Sequence, residues 1–129
     1  MSVTVHITSG PLPLTPVAWS AHQGYGALVT FEGVARPMEG GRLIEALDYE
    51  AYEPMASKML RRIGEELVEK LGVMGMCIEH SAGRVAVGDI SFRLRIAARH
   101  RKEALAAMDQ FIDRMKKDVP LWKTAVMRQ

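Results

Sequence analysis

The chain has 129 residues, 48% hydrophobic and 25% charged, with a formal net charge of +2. That composition fits a single globular domain over residues 1–129 whose core needs no disulfides, and its one cysteine, Cys77, excludes an intrachain disulfide and a cysteine-rich zinc site. The small net charge argues against an electrostatic nucleic-acid binder, no stretch is apolar for long enough to cross a bilayer, and the first six residues lack the pattern of a signal peptide, so a reducing, cytoplasmic setting is expected.

Residues 3–7 alternate and are rich in β-branched side chains, which predicts a first strand. Gly10-Pro11-Leu12-Pro13 breaks it. Thr15-Pro16, an N-cap followed by proline, predicts a short helix to about His22. Residues 27–31 predict a strand that continues to Arg36, with Gly33 marking a bulge or a close approach to the backbone. Residues 37–41 are expected to form an exposed, mobile loop before a returning strand at 43–52.

Glu53-Pro54 opens a helix in which Met55, Met59, Ile63 and Leu67 recur every fourth residue, Leu60 and Leu71 widen the stripe, and Gly72 stops it. Residues 73–79 and 84–87 predict two strands around a turn at Ala82-Gly83, and Gly88-Asp89 predicts a hairpin. Residues 90–99 alternate most cleanly. Phe92, Leu94, Ile96 and Ala98 face a core, while Ser91, Arg93, Arg95 and Ala97 form a basic or solvated face.

The last third places His100-Arg101 at a strand end, ahead of a helix with an apolar stripe of Leu105, Met108, Ile112 and Met115. Lys116 lies on the flank of that stripe, where its stem can lie on apolar surface with its ammonium at the edge of the core. Pro120 ends the helix, and Trp122 is expected to anchor Lys123 in the segment beyond. Short connections favour antiparallel pairing, so the order of elements predicts an α+β two-layer sandwich: a mainly antiparallel sheet with two main helices.

No phosphate-binding loop, dinucleotide fingerprint, metal-spaced histidine pair or nucleophile elbow is present. Cys77, in an apolar strand segment, reads as an inert buried thiol, and Glu50 as a structural partner for a cation. What remains is a cationic set: Arg36, His100, Arg101, Lys116 and Lys123. Arginine suits phosphate or carboxylate, histidine moves protons near neutrality, and a partly desolvated lysine can handle an acyl group. Taken singly, each also reads as an ordinary solvated strand end, helix entry or dipole-favoured helix terminus.

Pieces spread over most of the chain carry a resemblance. They are Phe31-Glu32-Gly33-Val34-Ala35-Arg36, Leu47-Asp48-Tyr49-Glu50-Ala51-Tyr52, His80 with Gly83, Val87-Gly88-Asp89, Ala98-Arg99-His100-Arg101, and Met115-Lys116 through Pro120-Leu121-Trp122-Lys123. In that order they resemble the large, catalytic subunit of molybdopterin synthase, most specifically in the His-Arg pair and the seven-residue step between the two lysines. The resemblance implies an α/β-hammerhead-like fold and a sulfurtransferase of molybdenum cofactor biosynthesis. Its substrate would be cyclic pyranopterin monophosphate. Its partner would be a small ubiquitin-like subunit whose C-terminal thiocarboxylate supplies the sulfur, in a heterotetramer built on a homodimer, with no metal or other cofactor.

By the same resemblance Lys116 and Lys123 would be catalytic. Arg36, His100 and Arg101 would bind the anionic substrate, together with Val34, Ala35, Thr124 and Ala125. Family members commonly have His-Arg where this chain has His80-Ser81, and continue past the Trp-Lys with an acidic and aromatic tail where this chain reaches Gln129. Those departures keep open a non-catalytic, dimeric binding or scaffold member of the same fold. A small-anion binding module with no sulfur partner is a third reading.

Overall fold

The structure is a computed structural model that describes residues 2–20 and 24–128. Its elements are β1 (Val3–Ser9), β2 (Ala27–Val34), β3 (Met38–Glu39), β4 (Arg42–Ala51), α1 (Met55–Leu71), β5 (Gly75–Ala86), β6 (Ile90–Ala98), α2 (Arg101–Asp118) and β7 (Leu121–Met127). The sheet runs β2-β6-β5-β4-β3, with β1 added parallel to β5 and β7 antiparallel to β4. The expected two-layer α+β arrangement is the one found. Ala56, Leu60, Ile63 and Leu67 of α1 and Ala104, Ala107, Phe111 and Met115 of α2 close one core with Val3, Ile78, Phe92, Leu94 and Ile96 of the sheet. Gly64 lets α1 settle on β1, because a Cβ there would lie 2.8 Å from Val3 Cγ1.

β5 joins two parts of the sheet. Its first half pairs with β6 and β1, and its last residues, from Gly83, pair with β4. The turn expected at Ala82-Gly83 is therefore a bend within one strand, made possible by Gly83 at φ +89°. Beyond the bend, β3, β4 and β7 form an extension with its own small core of Ala35, Ile44, Leu47 and Val85. The last segment is a strand rather than a tail pinned by tryptophan: Trp122 is 56% exposed, and backbone pairing with β4 holds Lys123 in place.

Four further expectations change. The helix from Thr15 does not form over 15–20, and its predicted end at His22 lies outside the described residues. This segment instead runs extended across the sheet face away from the helices. Arg93 donates to the carbonyls of Pro13 (2.7 Å) and Leu14, Arg95 donates to that of Val17 (2.8 Å), and the Arg95 guanidinium stacks over Trp19. Prolines at 11, 13 and 16 disfavour helix, and those carbonyls find arginine donors instead. The basic face of β6 is accordingly buried rather than solvated, with Arg93 fully enclosed between Glu79 on β5 and Glu32 on β2.

On α2 the buried stripe is rotated toward Ala104, Ala107 and Phe111, leaving Leu105 52% exposed. The two alanines bring the helix close to the sheet, and Phe111 stacks on Phe92 with ring centroids 6.4 Å apart. Residues 38–43 form a tight hairpin rather than a mobile loop, with Gly40 and Gly41 both at positive φ as such a turn requires. The Gly33 expectation holds, since the β2–β6 register shifts between Gly33 and Val34.

Candidate functional site

α2 ends at Asp118, and Val119 caps it by donating to the Met115 carbonyl (3.2 Å). A three-residue turn at Pro120, closed by Leu121 N–H to Val119 O (2.8 Å), sends the chain back as β7. Lys116 at the helix end and Lys123 on the strand thereby reach the same cavity, a cleft of about 680 Å³ where the main sheet meets the β3-β4-β7 extension. Val34 and Arg36 line it from the end of β2, which the bulge at Gly33 redirects. The walls between these cations are largely aromatic and apolar: Phe31, Leu47, Tyr49, His80, Phe92 and Met115.

The expected site residues fall into four groups. Lys116, Lys123, Arg36 and Val34 come together in the cavity. Ala35 is buried just behind it, its N–H donating to Asp89 O (3.0 Å) and its carbonyl accepting from Gly88, so it fixes the path of Arg36. Thr124 and Ala125 continue β7 past Lys123, paired with Asp48 and Leu47, and do not line the cavity. His100 and Arg101 lie at the opposite end of α2, about 22 Å from Lys116 at about 1.5 Å per helical residue. There His100 is exposed, with Nδ1 3.6 Å from Glu103. A single chain does not bring them to the lysines.

Other residues of the cleft carried no individual role in the sequence. Glu39, turned inward by the hairpin, pairs with Lys123 at 3.1 Å. Tyr49 OH donates to Ser91 Oγ (3.2 Å), which donates to the Gly33 carbonyl (3.4 Å). His80, 5% exposed, packs edge-on to Tyr49 and against Phe92, with Nδ1 2.7 Å from the Ser81 carbonyl. A carbonyl can only accept, so Nδ1 carries the proton. Burial pushes the His80 pKa below its ordinary value, partly opposed by that hydrogen bond. Ser81 is buried and does not line the cavity. Cys77 is buried as expected, 3.3 Å from an Arg95 nitrogen. Glu50 lies exposed opposite Trp122 and forms none of the ion pairs among the described residues.

The family profile for the MoaE protein matches residues 7–118. The chain belongs to the MoaE family. Among curated relatives, the molybdopterin synthase catalytic subunit of Staphylococcus carnosus is 41% identical over 105 residues, covering 81% of this chain and 69% of that protein. The catalytic subunit of Pyrococcus abyssi is 36% identical over 110 residues, covering 85% and 74%. Among solved structures, the crystal structure of molybdopterin synthase from Staphylococcus aureus superposes with a TM-score of 0.83 at 34% identity, covering 96% of this chain and 91% of that one. The MoaE match takes in every strand and helix that forms the cleft except β7, which carries Lys123.

Proposed function

We propose that the chain is the sulfur-transferring catalytic subunit of molybdopterin synthase, acting on cyclic pyranopterin monophosphate with sulfur from a thiocarboxylated small subunit. The observation that carries this reading is the convergence of Lys116, Lys123 and Arg36 on one cleft, from a helix end, a strand and a bulged strand end. Substrate phosphate and thiocarboxylate are both anions, and negative charge develops on oxygen as the acyl group is attacked. Fixed cations in a partly enclosed cleft stabilise all three. In balance, the thiocarboxylate sulfur bonds to a substrate carbon as a carbon–oxygen bond at that carbon breaks, the displaced oxygen staying on the phosphate or leaving, protonated, as water. A second water then breaks the acyl carbon–sulfur bond. The sulfur stays on the pterin and the carrier leaves as a carboxylate.

Within that scheme Lys116 handles the acyl carbon, Lys123 steadies the developing oxyanion, and Arg36 holds phosphate. His100 and Arg101 serve the same substrate from a second copy of the chain, because each lies a helix length from its own lysines. A homodimer carrying one small subunit on each copy satisfies that geometry. The test is reconstitution: purified chain, thiocarboxylated small subunit and precursor, with molybdopterin read as its fluorescent oxidised derivative. Product that requires the thiocarboxylate supports the proposal. A stable complex that forms no product favours the scaffold reading.

A further inference from the structure

The cleft is rich in cationic donors, and each carboxylate and hydroxyl on its wall already has a partner. Arg36, Lys116 and Lys123 can only donate. Of the two carboxylates on the wall, Glu32 is held by Arg93 (2.7 Å) and Glu39 by Lys123 (3.1 Å). The Tyr49 and Ser91 hydroxyls are engaged with each other. His80 differs. Its Nδ1–H is held by the Ser81 carbonyl, its ring is wedged between Tyr49 and Phe92, and the nitrogen it has left for a ligand is the unprotonated Nε2, an acceptor.

We propose that His80 recognises the nitrogen heterocycle of the substrate, Nε2 accepting a hydrogen bond from one of its N–H groups. This rests on the functional reading above and deepens it. The cations account for the anionic groups of a pterin phosphate, but a reduced pterin also carries N–H donors around its ring edge. Such a donor, once desolvated, needs a partner. A histidine acceptor in a fixed tautomer, with Phe31 and Phe92 on the same wall, suits a flat donor-bearing ring and offers nothing to the acceptor oxygens of a phosphate.

The experiment titrates cyclic pyranopterin monophosphate, and in parallel inorganic phosphate, into the complex of this chain with a small subunit ending in an ordinary carboxylate, so that no sulfur moves. Wild type is compared with His80→Gln, whose side-chain oxygen can accept near the Nε2 position, and with His80→Phe, which keeps an aromatic ring and cannot accept. The expected result is pterin affinity within about threefold of wild type for Gln and about tenfold weaker for Phe, the loss of one hydrogen bond, with phosphate affinity equal in all three. Histidine nitrogen NMR of the wild type needs no variant: the pterin shifts the Nε2 resonance and phosphate does not. An unmoved Nε2 resonance would overturn the proposal. So would a Phe variant that binds pterin like wild type, or Gln and Phe variants that weaken pterin and phosphate alike. A wild-type complex that binds no pterin at all would instead overturn the functional reading beneath it.

Discussion

Lys123 Nζ lies 3.1 Å from a Glu39 carboxylate oxygen, so one lysine of the cleft carries its own counter-ion across the mouth of the site. Both groups are partly exposed, and such a pair contributes about 0–1 kcal/mol to folding. Its consequence is for binding, because an arriving anion must compete with Glu39. Glu39→Gln is expected to tighten phosphate binding a few-fold while leaving thermal stability unchanged. Isothermal titration beside a melting curve checks both, and weaker binding in the variant would mean that Glu39 chiefly positions Lys123.

The buried pair Arg93–Glu79 makes a different prediction, about the fold. Arg93 is fully enclosed, it reaches Glu79 at 3.3 Å and Glu32 at 2.7 Å, and it ties down the extended segment through the Pro13 carbonyl. Arg93→Met leaves Glu79 with only Arg95 at 3.4 Å. A buried pair broken on one side costs about 3–5 kcal/mol. Urea unfolding should show that loss, and adding Glu79→Gln should recover part of it. No recovery in the double variant would place the cost in the lost carbonyl contacts instead.

His80 sets a pH dependence of stability. Burial holds its folded pKa below the ordinary 6.5, so below that pH the unfolded chain binds the proton that the folded chain refuses. The contribution is complete above about pH 7 and is lost as pH falls through 6.5 toward the folded value. Asp48, held low by Arg84, and Glu66, held low by Arg114, add their own losses only at more acidic pH, below their ordinary carboxylate values. Denaturation midpoints between pH 7.5 and pH 5.5 should fall for wild type and stay flatter for His80→Gln. Parallel curves would assign the slope to other groups.

The placement of His100 and Arg101 predicts complementation. If they act on a partner's cleft, Lys116→Ala and Arg101→Ala chains are each nearly inactive alone. A mixed dimer then has one cleft with both defects and one with neither. Co-expressed chains with separate tags should recover about a quarter of wild-type activity, half of the sites in the half of dimers that are mixed. No recovery would confine Arg101 to its own chain.

The sequence was most legible where a local rule decided the outcome. The alternation of β6, the stop at Gly72, the bulge at Gly33 and the end of α2 before Pro120 all depend on backbone chemistry that is local. It was least legible where a distant partner decided. Thr15-Pro16 carries a sound helix-start signal, yet arginines nearly 80 residues away take the carbonyls of Pro13, Leu14 and Val17. The stripe on α2 was drawn through large side chains, but close packing selected Ala104 and Ala107. Of the cleft, the cations Arg36, Lys116 and Lys123 stood in a set of five chosen by residue type, each of which also read as an ordinary solvated position, and the family resemblance gave them their roles. Glu39 and the fixed tautomer of His80 could not be named, because each exists only once the hairpin and the bend at Gly83 have folded.

The central claim is that Lys116 does chemistry rather than holding the helix end together. The direct measurement is product formation by Lys116→Ala, mixed with thiocarboxylated small subunit and precursor, beside its melting temperature and its affinity for the small subunit. Lys116 is exposed at the end of α2, so stability should stay within about 0.5 kcal/mol of wild type and the complex should still form. Product should fall by about 100-fold or more, the scale of removing a group that stabilises developing charge. A variant that folds, binds the small subunit and makes molybdopterin at the wild-type rate would contradict the account.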